Sequence, residues 1–331
     1  MQVNTMKHAI VALVFVMIAN AQPFLLPSSQ PAETAQLGPG LHEFSIVSAG
    51  HEWTYLAYVP TRADSNERLP TVLILHGAGG SGEGYLERAG WREKAEQEGF
   101  IAIAPDGLPA RPTGRPSFLL NPRLWNTGQL REGSPRTKVD DIQFFKDLLN
   151  HVRQRVKLDA HRIYVTGHSN GAGMTFRLAH EMAERFAAIA PVASLCWIEE
   201  PKPARPLPTL YMIGTEDPLV PLAGGESRLP WGRRTTPPVE TTLRKWSVAL
   251  GCNQAPRTVR DDSTVQVLEY GPCDTNVPFT VWFIKAQGHE WPGGEAMLPG
   301  RIMGPSRMAV RATDVIWEFF KSSSSPSGPL E

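Results

Sequence analysis

Between Thr71 and Lys285, apolar residues gather in short unbroken runs. These are TVLILH (71–76), FIAIAPD (100–106), RIYVTG (162–167), AAIAPV (187–192), TLYMIG (209–214) and FTVWFIK (279–285). A run of this length without alternation predicts a strand covered on both faces. The intervening stretches have a different period. YLERAGWREKAEQEG (85–99) reads as helix, and from Thr137 the apolar positions Val139, Ile142, Phe145, Leu149, Val152 and Val156 recur every three or four residues. Thr137 followed by Asp140 resembles a capping box, so this amphipathic helix is expected to begin at Thr137. Further helices are expected at 170–184, 239–250 and 307–320. Strand and helix alternate, which predicts a mostly parallel sheet with helices on both faces. FSIVSAGHEWTYLAYVP (44–60) adds an antiparallel N-terminal hairpin that turns at Ala49-Gly50. No repeat or linker interrupts residues 41–320, which reads as one domain.

The two ends have another character. Lys7 and His8 precede an apolar stretch from Ala9 to Ala19, and Ala19-Asn20-Ala21 offers small residues for cleavage before Gln22. Residues 1–21 therefore read as a signal peptide. The stretch is shorter than the roughly 20 apolar residues that span a bilayer, so a secreted or periplasmic protein without a stable membrane anchor is expected. Residues 22–40 and 321–331, rich in Pro, Ser and Gly, read as flexible segments. With 33 basic and 33 acidic residues and no long run of either, the chain offers nothing to a phosphate backbone. Nucleic acid is excluded as an expected partner, and a monomer is the expected state.

Candidate chemistry centres on YVTGHSNGAGM (164–174). A G-x-S-x-G arises readily by chance in a chain with 29 glycines, so its context decides. Here a strand precedes it and a helix follows. Gly167 and Gly171 are what a sharp turn needs if it is to present Ser169 without a clash. A serine hydroxyl requires a base, and the base an orienting carboxylate; on this architecture the chain order is Ser, acid, His. Asp217, just past the strand 209–213, is the expected acid, with Glu216 the alternative. His289, in the glycine-containing loop after the last strand, is the expected base. The oxyanion donors are expected to be the Asn170 amide and, from HGAGG (76–80), that of Ala78, with Gly77 the alternative. His168 reads as packing beneath or beside the site.

At this point a resemblance becomes specific. LILHGAGG, VDDIQFF, YVTGHSNGAGM, GTEDPLVP, GHEWPGG and VIWEFF resemble successive blocks of the secreted esterases that include extracellular polyhydroxybutyrate depolymerases, feruloyl esterases and acetylxylan esterases. The similarity runs over about residues 41–320. It implies an α/β-hydrolase domain acting on carboxylic esters, with Ser169, Asp217 and His289 at the triad positions. It also implies that Trp291 helps line the acyl pocket, against the alternative of core packing. Trp125, in the long loop 107–136, is expected to border the same pocket. The resemblance leaves hydroxybutyrate, feruloyl and acetylxylan esters all open as substrates.

Of three cysteines in a chain expected to be exported, Cys252 and Cys273 flank the strand TVQVLEY beside Gly and Pro turns and are expected to pair. Cys196 reads as a small buried hydrophobe. No H-E-x-x-H or clustered Cys/His spacing is present, and the proposed chemistry calls for no metal and no cofactor. Two rival classes remain: a serine peptidase, since the same triad cleaves amides, and an inactive hydrolase-like binding module, which would be expected to lack a triad residue.

Overall fold

The computed structural model describes residues 36–62, 67–130, 133–229 and 232–324. The expected signal peptide at 1–21, most of the segment 22–40 and most of the tail 321–331 lie outside the described residues. In chain order the elements are β1 Gly40–Ser48, β2 His51–Val59, β3 Leu69–Leu75, α1 Gly82–Arg88, α2 Trp91–Glu98, β4 Ile101–Pro105, α3 Asp141–Arg153, β5 Leu158–His168, α4 Asn170–Glu181 and β6 Ala188–Val192. They continue as β7 Thr209–Gly214, β8 Gly225–Leu229, β9 Gly232–Thr236, α5 Val239–Ala249, β10 Arg257–Asp261, β11 Val265–Tyr270, β12 Phe279–Ile284, α6 Gly300–Met303 and α7 Ala312–Lys321.

The unbroken apolar runs become strands that divide their side chains between two cores. In β3, Leu73 and Leu75 enter one core while Val72 and Ile74 enter the other; in β4, Ile101 and Ile103 oppose Ala102 and Ala104 in the same way. This is the two-residue strand period in strands covered on both faces. α3, α4 and α5 cover the first side, through Phe145, Met174 and Trp246 among others, and α1, α2 and α7 the second, through Leu86, Trp91 and Trp317. Ten strands, in the order β1-β2-β4-β3-β5-β6-β7-β12-β11-β10, form one sheet among the described residues. β4, β3, β5, β6, β7 and β12 run parallel; β1, β2 and then β11, β10 continue the edges antiparallel. The hairpin turns at Ala49 (φ 48°) and Gly50 (φ 76°), as the sequence predicts.

Three helix expectations are corrected, one of them the helix expected over 307–320, which begins only at Ala312. The helical stretch 85–99 is two helices, because Gly90 takes φ 73° and breaks it between α1 and α2. The amphipathic helix begins at Asp141 rather than Thr137: the Asp140 carboxylate accepts from the Gln143 amide as the cap, while 135–138 forms a single tight turn. Cys252 and Cys273 form a disulfide, and Cys196 is a buried free thiol whose pKa burial pushes up to about 11. No helix of the described residues is long and apolar enough to cross a membrane.

Candidate active site

The C-terminal ends of β3, β5, β7 and β12 lie along one edge of the sheet, and the loops leaving them carry the chemistry-bearing residues. The turn from β5 into α4 places Ser169 at φ 52°, ψ −118°, a conformation that an L-residue holds only under strain. The flanking glycines make the turn feasible. A Cβ on Gly167 would lie 2.5 Å from the Gly171 carbonyl carbon, and one on Gly171 would lie 2.2 Å from the Leu75 oxygen. The Ser169 amide is anchored to the Val192 carbonyl at 2.9 Å. Its hydroxyl is left pointing into a cleft at the N-terminus of α4, where the helix dipole favours negative charge.

Ser169 Oγ is 2.8 Å from His289 Nε2, and His289 Nδ1 is 2.7 Å from Asp217 Oδ2. The other carboxylate oxygen of Asp217 accepts from the Leu219 and Val220 amides, each at 2.8 Å. Asp217 is buried and the adjacent Glu216 is exposed, so the geometry separates the two carboxylates that the sequence left side by side. With Asp217 ionised, His289 donates from Nδ1 and keeps Nε2 free to accept the Ser169 proton.

Ala78 and Ser169 together line both lobes of the cleft. Gly79 and Gly80 have their amides committed to the Arg123 and Gly77 carbonyls, whereas none of the described backbone acceptors takes the Ala78 amide. Asn170 opens α4, so its N–H has no partner within the helix.

Trp125 and Trp291 require correction. Both are buried, at 0% and 1% exposure, and neither borders the cleft. Trp125 lies beneath it. Its amide donates to Asn170 Oδ1 at 2.6 Å, its carbonyl accepts from Asn170 Nδ2 at 3.0 Å, and its indole N–H donates to the His76 carbonyl at 3.0 Å. It therefore holds in place both chain segments that carry the expected oxyanion donors. Trp291 donates to Thr313 Oγ1 and packs edge-on against Trp91 and His168, which is the core-packing alternative.

Tyr85, Arg136 and Arg234 escaped the sequence reading, which places His168 beneath or beside the site. His168 Nε2 lies 2.5 Å from the carbonyl of His289, which can only accept, so the His168 proton sits on Nε2, Nδ1 accepts from Tyr85 at 2.5 Å, and His168 holds the backbone of His289. Burial pulls the His168 pKa down to about 3 and keeps the ring neutral. Arg136, also fully buried, grips Asp141 with both Nη atoms and donates to the Leu124 and Leu108 carbonyls, fixing both ends of the long loop. Burial raises the Asp141 pKa, and the Arg136 charge opposes it. Arg234, on β9, lines the cleft. Only the G-x-S-x-G neighbourhood gave any signal for His168; the other groups become visible through long-range contacts.

A parallel sheet with helices on both faces, antiparallel edges and a strained Ser169 between β5 and α4 defines the α/β-hydrolase fold. The chain matches the dienelactone hydrolase family over residues 55–226 and belongs to it. It is 26% identical to feruloyl esterase B of Piromyces equi over 70% of this chain and 41% of that protein. It is 22% identical to the bifunctional acetylxylan esterase/xylanase XynS20E of Neocallimastix patriciarum over 70% of this chain and 30% of that one. The chain thus spans less than half the length of either relative. Among solved structures, acetyl xylan esterase from Aspergillus awamori superposes with a TM-score of 0.56 at 16% identity, covering 85% of this chain and 99% of that one, a likeness of fold.

Proposed function

We propose that this chain is an exported serine carboxylic-ester hydrolase that works through an acyl-enzyme. The observation that carries the reading is the unbroken line from Asp217 through His289 to a strained, cleft-facing Ser169. Ser169 Oγ attacks the ester carbonyl carbon while His289 Nε2 takes its proton. The oxyanion that forms faces the Ala78 and Asn170 amides. As the tetrahedral species collapses, His289 returns the proton to the departing alcohol, and water then repeats the sequence to release the carboxylic acid and restore Ser169. The relatives' names support plant cell-wall esters, feruloyl or acetyl, as one substrate class; short hydroxyalkanoate esters fit the same cleft, whose two lobes measure roughly 400 and 460 Å3. The disulfide and the N-terminal pattern at 1–21 support export.

The test is a panel of p-nitrophenyl acetate and butyrate, methyl ferulate, acetylated xylan and hydroxybutyrate oligomers. Ser169→Ala and His289→Ala are each expected to lower kcat by about 10^4-fold or more, with the double variant little worse than either single one, since the groups act as a unit. Near-normal turnover by Ser169→Ala, with no change in thermal unfolding, overturns the reading.

A further inference from the structure

The cleft has two lobes that meet at Ser169 and Ala78. One is lined by His289, His168, Tyr85, Phe118 and Met297; the other by Asn170, Ser194, Val220, Leu124 and Arg234. In an acyl transfer the alcohol must leave beside the group that returns its proton. His289 borders only the first lobe, so the first lobe takes the alcohol and the second takes the acyl chain.

Arg234 is the unusual residue of the acyl lobe. β8 and β9 pair as a two-stranded ribbon in which Arg234 lies opposite Ser227, and Ser227 Oγ donates to the Arg234 carbonyl at 3.2 Å. The guanidinium lies over the Trp197 ring, 4.8 Å from its centroid, and Nη1 donates to the neutral Gln129 Oε1. Its Nε is buried without an acceptor, and among the described residues no carboxylate stands within ion-pair distance. Its neighbour Arg233, by contrast, is exposed and pairs with Glu226 at 3.4 Å. Burial draws the Arg234 pKa down and Asp217 draws it up, but the Asp217 oxygens are already held by His289 and two backbone amides. A guanidinium remains charged in proteins, and a half-buried charge with only neutral partners is unfavourable unless something supplies the opposite charge.

We infer that Arg234 supplies a carboxylate-recognition subsite in the acyl lobe, so that the preferred substrates are half-esters of dicarboxylic acids, held by the far carboxylate while the near carbonyl meets Ser169. Charge-assisted pairing of a planar guanidinium with a carboxylate is the strongest side-chain contact available to such a group. The apolar wall of Leu124 and Val220 suits the methylenes between the two carbonyl carbons. The inference rests on the ester-hydrolase reading and names its substrate class.

The experiment compares monoethyl and diethyl esters of succinic, adipic and suberic acids, which differ in the far charge at each chain length. The expected result is a kcat/KM at least tenfold higher for the monoester at one or more lengths. In Arg234→Gln, the monoester rate falls at least tenfold and the diester rate by less than threefold; Arg234→Lys keeps an intermediate preference. A wild-type ratio of one or below at every length overturns the inference and leaves ester hydrolysis standing, a result that needs no variant to fold. Equal losses on both esters in Arg234→Gln also overturn it, making the residue a prop for the lobe. Failure to hydrolyse any of the six esters or the panel above overturns both readings.

Discussion

The two sides of Ser169 are built differently. On the base side, polar groups are committed to one another: Asp217 to His289 and two amides, His289 to Ser169, His168 to the His289 carbonyl, and Tyr85 to His168. On the acyl side the wall comes from the long loop and the β8–β9 ribbon, Leu119 and Leu120 stand 64% and 80% exposed near the rim, and Arg234 holds only a neutral amide and an aromatic face. The base side is arranged for one geometry whatever the substrate. The acyl side leaves hydrogen-bonding capacity for a substrate to fill. Chemistry is therefore expected to be lost by changes on one side and specificity by changes on the other.

The largest break in that contrast is Asp217→Asn. An amide there no longer enforces the Nδ1–H tautomer of His289, and kcat is expected to fall about 10^4-fold for every ester alike, while Glu216→Gln stays within threefold. Steady-state kinetics on acetate and ferulate esters read this directly; a larger loss in Glu216→Gln would reassign the acid. Next is Trp125→Ala, which sharpens the boundary between wall and support. Removing a fully buried indole is expected to lower unfolding stability by about 3–5 kcal/mol in a denaturant titration. Because Trp125 holds Asn170 and His76 rather than the acyl group, the loss in kcat should be the same for acetate and ferulate. A selective loss on ferulate would return Trp125 to the cleft wall.

The smallest effect is an acid-side slope in stability. The folded-state pKa values of His168, about 3, and His76, about 4, both lie below the ordinary 6.5, chiefly through burial. Between those values and 6.5 the unfolded chain binds more protons than the folded one, so the stabilising contribution is complete above about pH 6.5 and is lost as pH falls towards 4 and 3. Melting temperatures are expected to decline from pH 7 to pH 4, and His168→Gln, which cannot titrate, to decline less steeply. An unchanged slope in that variant would remove His168 from the account.

The same contrast explains what the sequence made legible. β3, β6 and β7, and β5 from Ile163 onward, are buried on both faces and so read as unbroken apolar runs, β12 reads the same way although only half of it is fully buried, and the elbow carries its own steric signature in Gly167 and Gly171. Chain order then named an expected acid and base, Asp217 and His289, whose side chains stand in line with Ser169. The acyl side has no such period. β8 and β9, GESRL and GRRTT, carry polar residues on a two-stranded ribbon, and β10 is exposed at all five positions, so neither amphipathic pattern arises. Trp125 was misplaced for a related reason. An aromatic in an aperiodic loop resembles a wall residue, and its inward direction is set by contacts to Asn170, 45 residues away, and to the His76 carbonyl, 49 residues away. A pattern within a short window carries neither contact.

The backbone at Ser169 has one further consequence. Its φ of 52° with ψ of −118° is a conformation in which glycine rests easily and serine does not, so at this position the fold and the reaction want different residues. Resistance to heat and turnover are opposed at a single site. Selection for thermal endurance alone would therefore favour loss of the hydroxyl, and only demand for the proposed chemistry would keep serine there.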